Sequence, residues 1–292
     1  MTALPMHPRA VAALVLASTV GLIAFFWPFL AAPESAAVAH AGDAPFLFAL
    51  LMPVLLAVVL SQMTTPGSGA KAIAMLGVLA ALVAALRPLG AGHAGIEPFW
   101  FLIIIGGRAL GPGFGFALGA VGIFASALLT GGFGPWVPFQ MIGAAWVGMG
   151  AGLLPRRLSG RAEVLVLAVY GACAAIVFGF LLNAWFWPFF SGSGVTFAFV
   201  PGAPAAENLA RLLLFSLTTS LGYDLPRAII TAGLTLLAGG ALLRSLRRAA
   251  QRANFATTVA FPDDAGAMLE VDPAVALPAP PAHGPATTEQ LR

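Results

Sequence analysis

Apolar residues in this chain come in blocks about as long as a membrane is thick, and that feature limits the fold more than any other. The blocks run over Ala10–Leu30, Pro45–Ser61, Lys71–Leu89, Glu97–Ala109, Gly113–Thr130, Pro138–Leu154, Ala162–Trp187 and Leu225–Leu243. A helix needs about 20 residues to cross a hydrocarbon core of about 30 Å. Charged residues are 9% of the 292 and hydrophobic ones 60%. A soluble domain carries about 25% charged residues, so this chain lacks the polar surface to face water. The alternation that marks a transmembrane β-barrel is absent. The expected fold is an all-α, multi-pass protein of the cell membrane.

Lysine and arginine set the expected orientation. Arg9, Lys71, the cluster Arg156-Arg157-Arg161 and the cluster Arg244-Arg247-Arg248-Arg252 should face the cytoplasm under the positive-inside rule. Eight crossings satisfy all four groups and leave both termini inside. The less apolar stretch Glu207–Tyr223 must then lie laterally or half-inserted before the last span. The first block is read as an uncleaved anchor. Ala37-Val38-Ala39 offers a cleavage site, but signal-peptide apolar cores are only about 7–15 residues long. From Ala253 onward the chain is rich in Ala, Pro, Thr and acidic residues without periodicity, which reads as a disordered cytoplasmic tail. Three parts are expected: a transmembrane hairpin over 1–66, a six-helix membrane domain over 67–252, and the tail over 253–292. The net charge of +3 and pI near 9.8 come from residues at the ends of apolar runs. They form no nucleic-acid patch.

Several chemistries are excluded. The only lysine, Lys71, follows Pro66-Gly67-Ser68-Gly69-Ala70 and does not complete a phosphate-binding G-x-x-x-x-G-K-[ST] loop. His7, His40, His93 and His283 lie in termini or loops, so no Ser–His dyad is expected within the spans. Ser191-Gly192-Ser193-Gly194 reads as a flexible outer loop. The single Cys173 permits neither an internal disulfide nor a thiolate metal site. No catalytic residue, metal or cofactor is expected, and the chain does not read as an enzyme.

The most informative stretch is GGRALGPGFGFALGAVGIFASALLTGGFGPWVPFQMIGAAWVGMGAGLLP, residues 106–155. Gly111, Gly115 and Gly119 fall four apart, as do Ala144, Gly148 and Gly152. Each set leaves a smooth face that another helix backbone can approach. Between them, the Gly/Pro-rich segment Gly131–Gln140 suits a shaped outer loop presenting Phe133, Trp136, Phe139 and Gln140. On the expected topology Trp27, Trp100, Trp136, Trp185 and Trp187 lie toward the outside and Trp146 lies mid-helix. A simple aromatic belt populates both interfaces; a one-sided excess points to an outward cavity lined by flat rings. Trp136, Phe139, Gln140, Asn183 and Trp185 are the expected substrate contacts. Arg87, Arg108, Glu97, Glu207, Arg211, Asp224 and Arg227 lie in or beside apolar runs, and Asp224 and Arg227 are spaced to pair on one helix face. In the third block, Gly77, Ala81 and Ala85 form one small-residue strip and Ala80 and Ala84 another, surfaces suited to close helix docking.

Taken together, the Ala-rich third block, GRALGPGFGFALG, GGFGPWVPFQM…GMGAGLLP, and SLTTSLGYDLPRA followed by the basic LLRSLRR resemble the substrate-binding S components of energy-coupling factor (ECF) transporters. The resemblance covers Ala70–Phe255, and within the family the cobalamin group is most similar. It implies a six-helix bundle that captures a vitamin from outside. It further implies that Gly77, Ala81 and Ala85 contact a transmembrane T component, which engages two cytoplasmic ATPases. The N-terminal hairpin departs from the family pattern. The rival readings are an ion-coupled secondary transporter using Arg108, Asp224 and Arg227, an intramembrane enzyme acting on lipid, and a non-catalytic membrane assembly factor.

Overall fold

The computed structural model describes residues 8–30, 70–90, 95–190 and 195–254, and among them every regular element is helical. In chain order these are α1 (Pro8–Phe25), α2 (Trp27–Leu30), α3 (Ala70–Leu86), α4 (Trp100–Leu110), α5 (Pro112–Thr130), α6 (Val137–Leu153), α7 (Gly160–Phe186), α8 (Ala205–Thr219) and α9 (Leu221–Asn254). Short 3₁₀ turns extend α3 over Arg87–Gly90 and α7 over Trp187–Phe190. The expected second span, Pro45–Ser61, and the expected tail beyond Asn254 lie outside the described residues. Four helical segments are long and apolar enough to cross a membrane: Ala70–Gly90, Pro112–Thr130, Gly160–Phe189 and Leu221–Arg252. Val11–Phe25, Trp100–Leu110 and Val137–Leu153 are shorter apolar helices.

Three boundaries differ from the sequence expectation. The fourth block becomes an 11-residue helix starting at Trp100, only about 16 Å long at 1.5 Å per residue. The last block extends at both ends into a 34-residue helix, because Arg244, Arg247, Arg248 and Arg252 are good helix formers and favourable at a helix C-terminus. Tyr223 accordingly belongs to α9, and the preceding stretch forms the separate helix α8, which ends at Thr219 with Ser220 as its cap.

α4 sits at the centre. Its sequence, WFLIIIGGRAL, is apolar on every side, the pattern of a helix enclosed by others. All its residues but Phe101 are buried, and it touches α3, α5, α6, α7 and α9. These six helices alternate in direction. Arg87 at the end of α3 meets Ser126 near the end of α5 and Gln140 at the start of α6. Arg108 at the end of α4 meets the last carbonyl groups after α6 and the start of α7.

The corner between α4 and α5 is one residue long. Gly111 has φ 106° and ψ 167°, a conformation that glycine alone adopts without strain. Pro112 then begins α5, where its missing N–H costs nothing. Beyond this corner the two small-residue sets face each other. A Cβ on Gly115 would strike the Gly148 carbonyl, one on Gly119 the Ala144 carbonyl, and one on Gly152 the Pro112 backbone. Gly107 of α4 also abuts Gly148. The α4, α5 and α6 backbones therefore touch, as the four-residue spacing predicts.

α1 packs along α6 and α7. The Trp146 indole N–H donates to Ser18 Oγ at 3.0 Å. Phe25 meets the Phe139 ring edge-on at 5.2 Å, and Trp27 donates to the Trp185 carbonyl at 3.3 Å.

Candidate functional site

Two layers of polar contacts cross the bundle, one at each end. They share α9, on which Arg227 and Arg247 stand twenty residues apart, about 30 Å along a helix axis. That separation matches the thickness of a hydrocarbon core, a spacing that allows both layers to lie at its margins, away from the centre where an arginine is most costly.

In the layer at the N-terminal end of α9, Arg227 is held by two carboxylates. Its Nε donates to Glu97 Oε2 and its Nη1 to Asp224 Oδ1, both at 2.6 Å. Glu97 also accepts from the Trp100 indole at 2.7 Å, and the guanidinium stacks over the Phe178 ring at 5.3 Å. The Asp224 carboxylate lies against the Cα of Gly179, where any side chain would collide with it. The spacing of Asp224 and Arg227 foretold their pairing. Glu97 joins from 130 residues away, a distance that no local pattern spans.

The expected substrate residues lie at this same end but divide into four groups. Phe139 and Trp185 are buried and stacked face to face, centroids 4.2 Å apart and planes inclined by 2°. Phe25, Trp27 and Phe189 enclose the pair. Gln140 turns to the other side, where its Oε1 accepts from Arg87 Nη2 at 2.6 Å. Asn183 donates to Ser220 Oγ at 2.6 Å and to Ser216 Oγ at 3.2 Å, tying α7 to the end of α8. Trp136 is 46% exposed and folds its ring over Gly134.

The loop itself is shorter than its composition suggests. Val137 already begins α6 with Pro138 in its first turn, so Phe139 and Gln140 belong to a helix and Phe139 faces inward. Gly131 closes α5 with φ 64°, its N–H bonded to the Ala127 carbonyl. Ser126, Ser216 and Ser220 were not singled out in the sequence. Small hydroxyl residues within apolar runs give no signal until their partners are placed.

At the opposite end, Glu163 is shared by two arginines. Arg108 Nε and Arg247 Nη2 each donate to its Oε1 at 2.6 Å. Arg108 also donates to the carbonyl groups of Leu154 at 2.7 Å and Pro155 at 3.0 Å. It is therefore a clamp between α4, the α6–α7 turn and α7, not a residue reaching for water. Among the described residues, no group of three His, Cys, Asp or Glu side chains is placed to hold a metal ion.

The two faces of α3 differ as its sequence requires. Leu76, Leu79, Ala80, Val83 and Ala84 are buried against the bundle, so the Ala80/Ala84 strip serves internal packing. Gly77, Ala81 and Ala85 are exposed, and no atom lies within 4 Å of where a Cβ on Gly77 would stand.

With this architecture in view, comparison with known families is decisive for the class. No curated protein and no solved structure matches the chain. The family model described as ECF transporter, substrate-specific component, matches residues 71–239, which run from the first turn of α3 to the middle of α9. That family supplies transport subunits of ECF importers, which associate with a T component and ATPases. A match over more than half of the chain, across all six helices of the bundle, establishes that this protein belongs to the substrate-specific components of ECF transporters.

Proposed function

We propose that the protein captures cobalamin from the outer side of the membrane and delivers it through a T component driven by two cytoplasmic ATPases. The single observation that carries the transport role is the family match across the bundle. The vitamin is inferred from the aromatic surfaces at the Arg227 end, which suit a large, flat, partly apolar ring system. In this reading residues 1–66 form an accessory hairpin, 67–252 the transport domain and 253–292 a cytoplasmic tail. The Arg247 end faces the cytoplasm, where the basic residues gather.

Trp136, Phe139, Gln140, Asn183 and Trp185 form the substrate site. The stacked Phe139–Trp185 pair is the closed form, and a corrin-sized ligand takes the place of that contact as the start of α6 moves away from α7. Ligand then selects the open conformer. Gln140 and Asn183 exchange their internal partners, Arg87 and the α8 serines, for polar groups of the substrate. The carboxylates that an ion-coupled carrier would use are engaged with Arg227, which favours energy supply by partner ATPases.

Trp136→Ala should weaken cobalamin binding about tenfold, since a buried aromatic contact adds roughly 0.5–1.5 kcal/mol beyond area burial and ~1.4 kcal/mol is one decade. Its exposure in the unliganded protein means that the bundle survives the truncation. The measurement is vitamin absorbance retained on purified protein. Undiminished binding by both Trp136→Ala and Gln140→Ala removes the loop from the site. No binding by folded wild type removes cobalamin and leaves the family standing.

The exposed strip of Gly77, Ala81 and Ala85 docks the T component. Ala81→Leu should reduce co-purification with a T component several-fold, because interfaces between helices in lipid depend on close backbone approach. Vitamin binding should be unchanged. Loss of binding with association intact would assign the strip to the bundle's own integrity.

A further inference from the structure

Beside the Glu163 clamp, residues of α7 and α9 line a cleft of about 790 Å³. That is the size of a small-molecule site. One part of its wall is aliphatic: Val164, Leu165, Leu236, Leu237 and Leu243. Leu237 is 85% exposed and Leu165 and Leu236 are also exposed, a surface stable only against hydrocarbon. The other part carries Arg161, Arg244 and Arg247 around the single carboxylate of Glu163. That carboxylate is already engaged by Arg247 and, from behind the wall, by Arg108. Arg161 and Arg244 are exposed and form no ion pair among the described residues. The cleft thus carries excess positive charge at the edge of the hydrocarbon layer and an aliphatic trough running away from it along two membrane-spanning helices.

We infer that this cleft binds an acidic phospholipid, with its phosphate between Arg161 and Arg244 and one acyl chain along Leu236, Leu237 and Val164. Charge complementarity selects the lipid class. Basic pockets between membrane helices attract anionic headgroups, each arginine adding to the preference, whereas a zwitterionic headgroup brings an ammonium into a site already rich in guanidinium. Gly240 lies in the floor of the trough. A Cβ there would meet only Arg244 Nη1 at 3.6 Å and Val164 Cγ2 at 3.7 Å, ordinary contacts, so side-chain bulk can be added in the trough from a Cβ that fits without moving either helix. The bound lipid lies in this cleft along α7 and α9, the two helices that also carry the opposite polar layer.

The test uses the full chain in nanodiscs of equal phosphatidylglycerol and phosphatidylcholine, with retained lipid counted by native mass spectrometry. Wild type should retain phosphatidylglycerol preferentially. Arg161→Gln with Arg244→Gln should reduce that preference about thirtyfold, in keeping with the attraction of two surface arginines. Arg156→Gln with Arg157→Gln removes the same charge from an exposed turn outside the cleft and should leave the preference intact. Gly240→Leu should abolish retention with every charge in place. Equal retention by the Arg161/Arg244 variant and wild type overturns the site, as does an equal loss in the Arg156/Arg157 variant. Displacement of phosphatidylglycerol by soluble glycerol 3-phosphate would make it a site for free phosphate esters and overturn the lipid assignment. Unchanged lipid retention with lost T-component association would make the arginines a protein-docking surface, again against the proposal.

Discussion

Glu163→Gln should destabilise the bundle by about 3 kcal/mol, the lower part of the range for breaking one partner out of a buried ion pair. The substitution keeps the shape of the side chain and removes only its charge. Glu163 is 2% exposed and the Arg108 side chain 3%, so Arg108 cannot turn to water when its counter-charge is lost. Its donors to the Leu154 and Pro155 carbonyl groups remain, which is why the expected loss falls at the lower end. Arg247 differs. Its side chain is 29% exposed, and it lies in the last three turns of α9, where a released guanidinium reaches solvent. Arg247→Gln should therefore cost less than about 1 kcal/mol, as for a solvent-accessible pair. Denaturant titration of purified protein in bicelles distinguishes the two. Equal losses would show that Arg108 is not trapped. The Arg108→Met, Glu163→Met double variant should be more stable than Glu163→Met alone, because the Arg108 charge is no longer left buried without a counter-charge.

Gly148→Ala should destabilise the protein by about 1–3 kcal/mol, the usual cost of forcing atoms into a packed interior. The upper end is expected here because the obstacle is the Gly115 carbonyl oxygen, with the Ile103 side chain behind it at 3.0 Å. Backbone cannot swing aside as a flexible side chain does. Separating α5 from α6 by a methyl group also disturbs Gly107 of α4, which rests on the carbonyl of Gly148 itself. Gly77→Ala is the matched control. It adds the same methyl group to a membrane helix at a place with nothing within 4 Å, so stability should hold or rise slightly through the better helix propensity of alanine. Thermal unfolding of both variants in detergent measures the contrast. A Gly148→Ala protein as stable as wild type would mean that the helices separate freely at that crossing.

The small-residue sets were legible because spacing in a helix fixes which residues share a face. Gly115, Gly119, Ala144 and Gly148 could be read as contact faces from their separation alone, and they meet each other. The strip of Ala80 and Ala84 and that of Gly77, Ala81 and Ala85 were equally visible, but their assignments were not. Both strips consist of small residues, and only the placement of α5 beside α3 buries one and exposes the other. The candidate substrate residues show the same limit. Phe139 and Trp185 were selected for flatness and for lying at one end, and they are neighbours. Gln140, adjacent to Phe139 in sequence, points away because successive residues on a helix are about 100° apart. The Gly/Pro composition suggested a loop through Gln140, while the apolar block was read from Pro138. The helix start at Val137 bears out the second reading, since proline fills a helix start as readily as a turn.

What the sequence determined by itself is the class of solvent and the kind of secondary structure. Apolar blocks in a chain with so few charges must lie in lipid, and lipid obliges the backbone of each block to satisfy its own hydrogen bonds as a helix. Tertiary structure alone decided where the charges find their partners. Arg108 meets Glu163 across 55 residues, Arg247 meets it across 84, and Arg227 meets Glu97 across 130. A charge in an apolar run announces that it needs a partner. Which distant segment supplies one depends on how six helices are ordered around α4, and helical periodicity carries no information about that order.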